Sequence, residues 1–159
     1  MRTTIAFTVA ALGLAAAFAG AQPKKDIGYD PRADASAQLD SAVARAAAEH
    51  KLVLLISGGD WCVWCHYLAA FLEREPAIDM ALHDVFIVQK VYVGTENMNA
   101  EFFGRLPKAA GAPHFWILSA EGEVLGTQDT LPLEDGDKSY DRAQFLAFVE
   151  RWRGHSAAH

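Results

Sequence analysis

The chain has 159 residues, of which 52% are hydrophobic, 21% charged and 11% aromatic. This composition suits one folded domain and excludes a disordered chain, and two cysteines are too few for a small domain held together by disulfides. The formal net charge is −6, and no run of basic residues is longer than Lys24-Lys25. Such a surface would repel a phosphate backbone, so we expect no nucleic-acid partner.

The first 21 residues have the features of a secretory signal peptide. Arg2 gives a positive start, the segment from Ile5 to Phe18 is apolar, and Ala19-Gly20-Ala21 forms a small-residue cleavage site. The apolar segment is shorter than the roughly 20 residues that span a bilayer, which disfavours a membrane anchor. We therefore expect residues 1–21 to be removed and the mature protein to be periplasmic or secreted, where disulfides persist.

The pattern of apolar residues divides the remaining chain into an extended lead-in at 22–35, one domain at 36–154 and a tail at 155–159. Within the domain, apolar residues at helical spacing predict a first helix from Ser36 to His50. The uninterrupted apolar run from Leu52 to Ile56 is typical of a strand that is buried on both faces. We expect this strand to lie at the centre of a sheet.

The next elements alternate between helix and strand. Cys62 and Cys65 open a second helix, and Pro76 ends that helix and begins a third. The β-branched and aromatic segment from Val85 to Val93 predicts a second strand. Because helix and strand alternate, we expect the two strands to pair in parallel through a crossover connection.

The second half of the domain is predicted to be richer in strand. The expected elements are a helix carrying Met98, Phe102 and Leu106, a hairpin of strands 115–118 and 123–127, and a closing helix after the capping pair Asp141 and Gln144. The predicted fold class is therefore α/β, with a central mixed sheet of about four strands flanked by helices.

The cysteine pair carries the predicted chemistry. A C-x-x-C motif between a strand and a helix is typical of a redox-active dithiol. Backbone N–H groups at the start of the helix stabilise a thiolate chiefly on Cys62, which we expect to attack, while Cys65 resolves the mixed disulfide. A purely structural disulfide is the alternative, but so short a loop adds little stability. We expect no metal and no cofactor beyond this dithiol–disulfide pair.

Two metal-based alternatives stay open from the residues alone. Cys62 to His66 also matches C-x-x-C-H, the attachment signature of c-type haem in electron carriers. The motif follows an apolar strand, however, and the strand-rich second half does not suit a small helical cytochrome. Copper held by Cys62, Cys65 and His114 in a non-catalytic metal- or protein-binding module is the other alternative, because soft thiolates select Cu(I).

From about Ser36 to Trp152 the chain resembles the thioredoxin-like superfamily, and small exported thioredoxin-like proteins in particular. The features that carry this resemblance are the strand at 52–56, the turn Trp61-Cys62-Val63-Trp64-Cys65, and Gly111-Ala112-Pro113 before a strand. The active-site turn, the 111–113 segment and the turn at 119–122 are also similar to the C-terminal thiol domain of bacterial disulfide-interchange reductases.

The resemblance implies thiol–disulfide exchange with protein substrates, with the reductase direction favoured. It implies that Pro113 is cis beside the dithiol and that the backbone of Ala112 pairs with an extended substrate segment. Trp61 and Trp64 flank the cysteines and are expected to form an apolar rim for substrate. The expected partners are exported cysteine-containing proteins and a membrane thiol electron donor.

The resemblance also points to residues that tune protons and charge at the dithiol. Lys90 falls where thioredoxins keep a lysine near the active site. Ile56 takes the position, six before Cys62, where thioredoxins bury an aspartate that moves the proton of the resolving cysteine. Without that carboxylate, we expect the proton to move through water, His66 or another group.

Overall fold

The computed structural model describes residues 25–156, so the predicted signal peptide lies outside the described residues. Its elements are α1 Ala35–Glu49, β1 Leu52–Gly58, α2 Val63–Arg74, α3 Pro76–Val85, β2 Phe86–Tyr92, α4 Ala100–Phe103, β3 His114–Leu118, β4 Val124–Asp129, a 3₁₀ turn at Leu131–Leu133 and α5 Arg142–Ser156. Within residues 25–156, no helix is both long enough and apolar enough to cross a membrane.

The four strands form one mixed sheet in the order β2-β1-β3-β4. Strand β1 pairs in parallel with β2 and antiparallel with β3, and β3 and β4 form the antiparallel hairpin. All seven residues of β1 are buried, as expected for an internal strand covered on both faces. The predicted mixed four-stranded sheet, its central strand and its parallel crossover pair are therefore confirmed.

Helices cover both faces of the sheet because the strands alternate their side chains. Leu54 and Ile56 of β1 belong to a core shared with α2, α3 and α5, whereas Val53 and Leu55 belong to a core shared with α1 and α4. Strand β1 thus fixes the position of α2, whose first turn carries the cysteines.

The predicted helix around 98–106 is wrong in its length. Only Ala100–Phe103 is helical. Asn99, the residue before it, has a left-handed backbone (φ 45°), and the N–H groups of Arg105 and Leu106 bond to carbonyls three residues back instead of four. Met98 therefore lies outside the helix and is exposed. This single turn leaves Met98 free to line a groove beside the cysteines.

Candidate active site

Cys62 and Cys65 lie where β1 leads into α2. Cys62 is the residue immediately before the helix, and Cys65 lies in its first turn. The two residues form a disulfide with their Cα atoms 5.2 Å apart. Both are buried in this oxidised state, with exposed fractions of 3% and 2%. Burial therefore does not distinguish the two cysteines, which differ in their positions along the helix.

The start of α2 supplies hydrogen-bond donors to Cys62. The backbone N–H of Cys65 donates to Cys62 Sγ over 3.1 Å, so the sulfur acts as the cap of the helix. In the reduced protein the same N–H group and the helix dipole favour a thiolate on Cys62. This geometry suits Cys62 as the attacking sulfur.

A cis-proline loop packs beside the dithiol. The Ala112–Pro113 peptide bond is cis, as the resemblance implied. Ala112 packs against the cluster that contains both cysteines, and the carbonyl of Pro113 accepts a hydrogen bond of 3.0 Å from the Thr130 hydroxyl. The structure thus brings the predicted cysteine turn and the predicted proline loop together, although 47 residues separate them in the chain.

The two tryptophans differ in their surroundings. Trp61 is 55% exposed, and its ring N–H donates to the carbonyl of Val93 over 2.7 Å. Trp64 is half-buried and makes edge contacts with the rings of Tyr67 and Tyr140. Trp61 is therefore presented to solvent in a fixed orientation, whereas Trp64 joins the active-site turn to the core.

An apolar groove of about 980 Å³ opens next to the active-site turn. Apolar side chains along it include Trp61, Met98, Phe103, Ala109, Ala112 and Trp116, with Lys108 as a charged member. Because the groove includes Trp61 and Ala112, it joins the exposed tryptophan to the proline loop. The sequence analysis identified these two residues but not the rest of the groove, whose members are far apart in the chain.

The side chains of Lys90 and His66 bond to backbone carbonyls near the dithiol. The Lys90 ammonium donates to the carbonyl of Ile27 over 2.6 Å, and its pKa is lowered by burial, against the opposing influence of nearby carboxylates. The Nε2 atom of His66 lies 2.9 Å from the carbonyl of Asp60, so that nitrogen carries a proton. Both side chains thus hold backbone segments around the dithiol.

Tyr29 is a residue of the site that sequence analysis missed. It lies in the lead-in at 22–35, yet it is 6% exposed and packs in the same cluster as Ile27 and both cysteines. Ile27 and Tyr29 alternate with more polar neighbours, which is the pattern of an extended segment with one buried face. That alternation was the available signal that one face of this segment is buried.

The proposed copper ligands do not come together. His114 is buried, its Nε2 is hydrogen-bonded to the Thr127 hydroxyl, and its ring packs edge-on against Trp116. Among residues 25–156, no three His, Cys, Asp or Glu side chains converge closely enough to hold a metal ion. In the described structure these three ligands do not form one site, because β3 turns the His114 side chain toward Thr127 on β4.

The comparisons with known proteins agree with this geometry. A family model described as thioredoxin-like matches residues 34–120, which is more than half of the chain. The chain belongs to the thioredoxin-like family. A search of curated proteins finds no match.

Solved structures of three thioredoxin-like proteins share the fold. A disulphide isomerase from Xylella fastidiosa Temecula1 is 26% identical, with a TM-score of 0.66 over 77% of this chain and 94% of that chain. The oxidised DsbD C-terminal domain of Neisseria meningitidis is 21% identical, with a TM-score of 0.54 over 76% and 97%. A Thermus thermophilus thioredoxin is 23% identical, with a TM-score of 0.54 over 82% and 90%.

These matches confirm the predicted thioredoxin-like fold and the likeness to the C-terminal thiol domain of disulfide-interchange reductases. Together with the Cys62–Cys65 disulfide, they make this thioredoxin-like protein a thiol–disulfide oxidoreductase. The Cys62-to-His66 segment lies in a thioredoxin-like active-site turn, which favours the dithiol interpretation over haem attachment.

Proposed function

We propose that this thioredoxin-like protein is exported and reduces disulfides in exported cysteine-containing proteins. The observation that carries the proposal is the Cys62–Cys65 disulfide at the start of α2, packed in one cluster with the cis-proline loop. The signal-peptide pattern of residues 1–21 supports export to a compartment where proteins contain disulfides.

The reduced dithiol would act in two exchange steps. The Cys62 thiolate attacks one sulfur of a substrate disulfide, and the other substrate sulfur leaves as a thiolate that takes up a proton. The Cys65 thiolate then attacks Cys62 Sγ, forms the Cys62–Cys65 disulfide and releases the second substrate sulfur. Two electrons pass from the protein to the substrate, so a thiol electron donor, which we expect to lie in the membrane, must restore the dithiol.

We assign substrate contact to Trp61 and Ala112, which line the groove, and a supporting role to the half-buried Trp64 and the buried Pro113. The Ala112 backbone precedes a buried cis-proline and lines the groove, so an extended substrate segment that pairs with it would lie across the dithiol. Trp61 offers an exposed apolar face at the same groove, and Trp64 supports the turn from beneath. Apolar residues near the substrate cysteine would therefore favour binding.

We favour the reductase direction because the motifs at 61–65, 111–113 and 119–122 resemble the C-terminal thiol domain of bacterial disulfide-interchange reductases. Disulfide isomerisation is a second candidate, because the Xylella fastidiosa protein of 26% identity is described as a disulphide isomerase. Both activities begin with the reduced dithiol, but only isomerisation returns the dithiol without net electron transfer. Reduction of insulin and recovery of a scrambled disulfide protein, measured side by side, separate the two.

The direct test is to trap the mixed disulfide in the exporting cell. Cys65→Ser removes the resolving thiol, so Cys62 should accumulate DTT-sensitive adducts that survive non-reducing electrophoresis. Cys62→Ser is the matched control and should trap far less, because the remaining thiol lies deeper in the helix. A membrane protein among the adducts would support the expected donor. If neither variant forms a DTT-sensitive adduct, the proposed function is wrong.

A further inference from the structure

The buried hydroxyl of Tyr29 stands beside the resolving cysteine. A Cβ atom built on Gly58 would lie 2.5 Å from Cys65 Sγ and 2.8 Å from the Tyr29 hydroxyl, so both atoms crowd the same side of this glycine. No hydrogen-bond partner for the Tyr29 hydroxyl lies among residues 25–156. A buried hydroxyl that makes no hydrogen bond is costly, which calls for an explanation.

The surroundings of Tyr29 hold its ring in place. The Lys90 ammonium lies over the ring, 5.7 Å from its centroid, and also bonds to the carbonyl of Ile27 in the same segment. Lys90 thus holds Ile27 and Tyr29 of the lead-in against the cluster that contains the two cysteines. The predicted lysine near the active site thus contacts the Tyr29 ring.

We propose that, once the disulfide is reduced, the Tyr29 hydroxyl donates a hydrogen bond to Cys65 Sγ and stabilises the resolving thiolate. This inference rests on the thiol–disulfide exchange proposed above. It assigns a polar neighbour to Cys65 in a protein whose position 56 carries isoleucine. In this arrangement Tyr29 touches the reacting sulfur. The Cys65 thiolate supplies the hydrogen-bond acceptor that the Tyr29 hydroxyl lacks in the oxidised state.

The hydroxyl is suited to donate a proton in a hydrogen bond but not to remove one. Burial raises the pKa of Tyr29, and the nearby Tyr140 and Asp60 raise it further, while the Lys90 ammonium faces its ring. Tyr29 therefore stays protonated throughout the exchange. When Cys65 attacks Cys62 Sγ, the proton that Cys65 has lost goes to water or to the departing substrate thiolate.

Tyr29→Phe is the decisive variant, because it keeps the ring and removes only the hydroxyl. Each protein is loaded at Cys62 with thionitrobenzoate, and the rate at which Cys65 displaces this group is followed across pH. Loss of a hydrogen bond to a charged group should raise the pKa of the Cys65 thiol by about one unit. The rate near neutral pH should fall only about threefold, because the rarer thiolate is also more nucleophilic.

Tyr92→Phe is the matched control. Tyr92 belongs to the same buried cluster, but its hydroxyl lies against Gly94 and not against Cys65, so its pH profile should equal that of the wild type. An unchanged profile in Tyr29→Phe would overturn the inference. If the wild-type protein itself never releases thionitrobenzoate from Cys62, the proposed function fails instead.

A second measurement does not depend on the folding of Tyr29→Phe. In Cys62→Ser, Cys65 is the only thiol, and its ionisation should shift the near-ultraviolet absorption of the neighbouring tyrosine. The shift should follow the same pKa as alkylation of Cys65. A tyrosine spectrum that stays constant while Cys65 ionises would refute the hydrogen bond.

Discussion

Ile56 on β1 stands directly beside Lys90 on β2 in the register of the parallel pair. Ile56 is fully buried among apolar side chains, whereas the Lys90 ammonium turns away to the carbonyl of Ile27. Burial lowers the pKa of Lys90. Since position 56 carries a hydrocarbon, the lysine has no carboxylate there to pair with, and the dithiol has none to accept a proton.

Introducing that carboxylate should speed the reaction at the expense of stability. In Ile56→Asp, the new group can exchange a proton with Cys65 and pair with Lys90, so insulin reduction near neutral pH should rise several-fold. Burial of a charge in the core should lower the free energy of unfolding by about 3 kcal/mol, measured by urea denaturation.

Ile56→Asn is the matched control, because it introduces a polar side chain of the same shape without a charge. It should lose similar stability and show no gain in turnover. An unchanged rate in a folded Ile56→Asp protein would mean that another group already makes the Cys65 thiolate available, as the proposed hydrogen bond from Tyr29 would.

Cys62 should be the more acidic thiol of the reduced protein. The N–H of Cys65 points at Cys62 Sγ from the first turn of α2, and such contacts favour a thiolate. We expect its pKa to lie at least about one unit below that of Cys65. Alkylation rates across pH, measured in Cys65→Ser and Cys62→Ser, give the two values separately. The assignment fails if Cys65 becomes reactive at the lower pH.

Trp61 should contribute to the binding of protein substrates but not to the reduction of small disulfides. Trp61→Ala removes an exposed ring from the apolar groove, so the KM for a protein substrate should rise about tenfold, as for the loss of an interface aromatic. Reduction of a small aromatic disulfide should change little. Met80→Ala is the control, because Met80 is 64% exposed on α3 and does not line the groove. Equal effects of both variants would argue against this substrate surface.

His114 should make the fold less stable in acid. Burial lowers its pKa, and Asp129 opposes this only in part. The unfolded chain, with a histidine pKa of about 6.5, then binds more protons than the folded one, so stability falls as the pH drops through that value. His114→Gln should weaken this dependence in urea unfolding at pH 5 and 7, whereas the exposed His155→Gln should not. If the pH dependence of stability is the same in His114→Gln as in the wild type, other groups cause it.

Much of this molecule follows from local patterns in its sequence. The apolar run at Leu52–Gly58 requires burial on both faces, which makes β1 central, and the C-x-x-C spacing places both cysteines at the start of one helix. In each case the signal lies within about ten residues, where spacing and side-chain type fix the backbone.

Only the tertiary structure decided how distant segments meet at the dithiol. The sequence predicts only an extended lead-in, yet Tyr29 in this segment lies beside Cys65. Lys90 holds the segment there through its hydrogen bond to the carbonyl of Ile27, 63 residues earlier in the chain. The groove likewise includes Met98, which lies outside α4 because the helix begins only after the left-handed Asn99. These contacts depend on packing between segments far apart in the chain, and no periodic pattern in one segment specifies which side chain of another will face it.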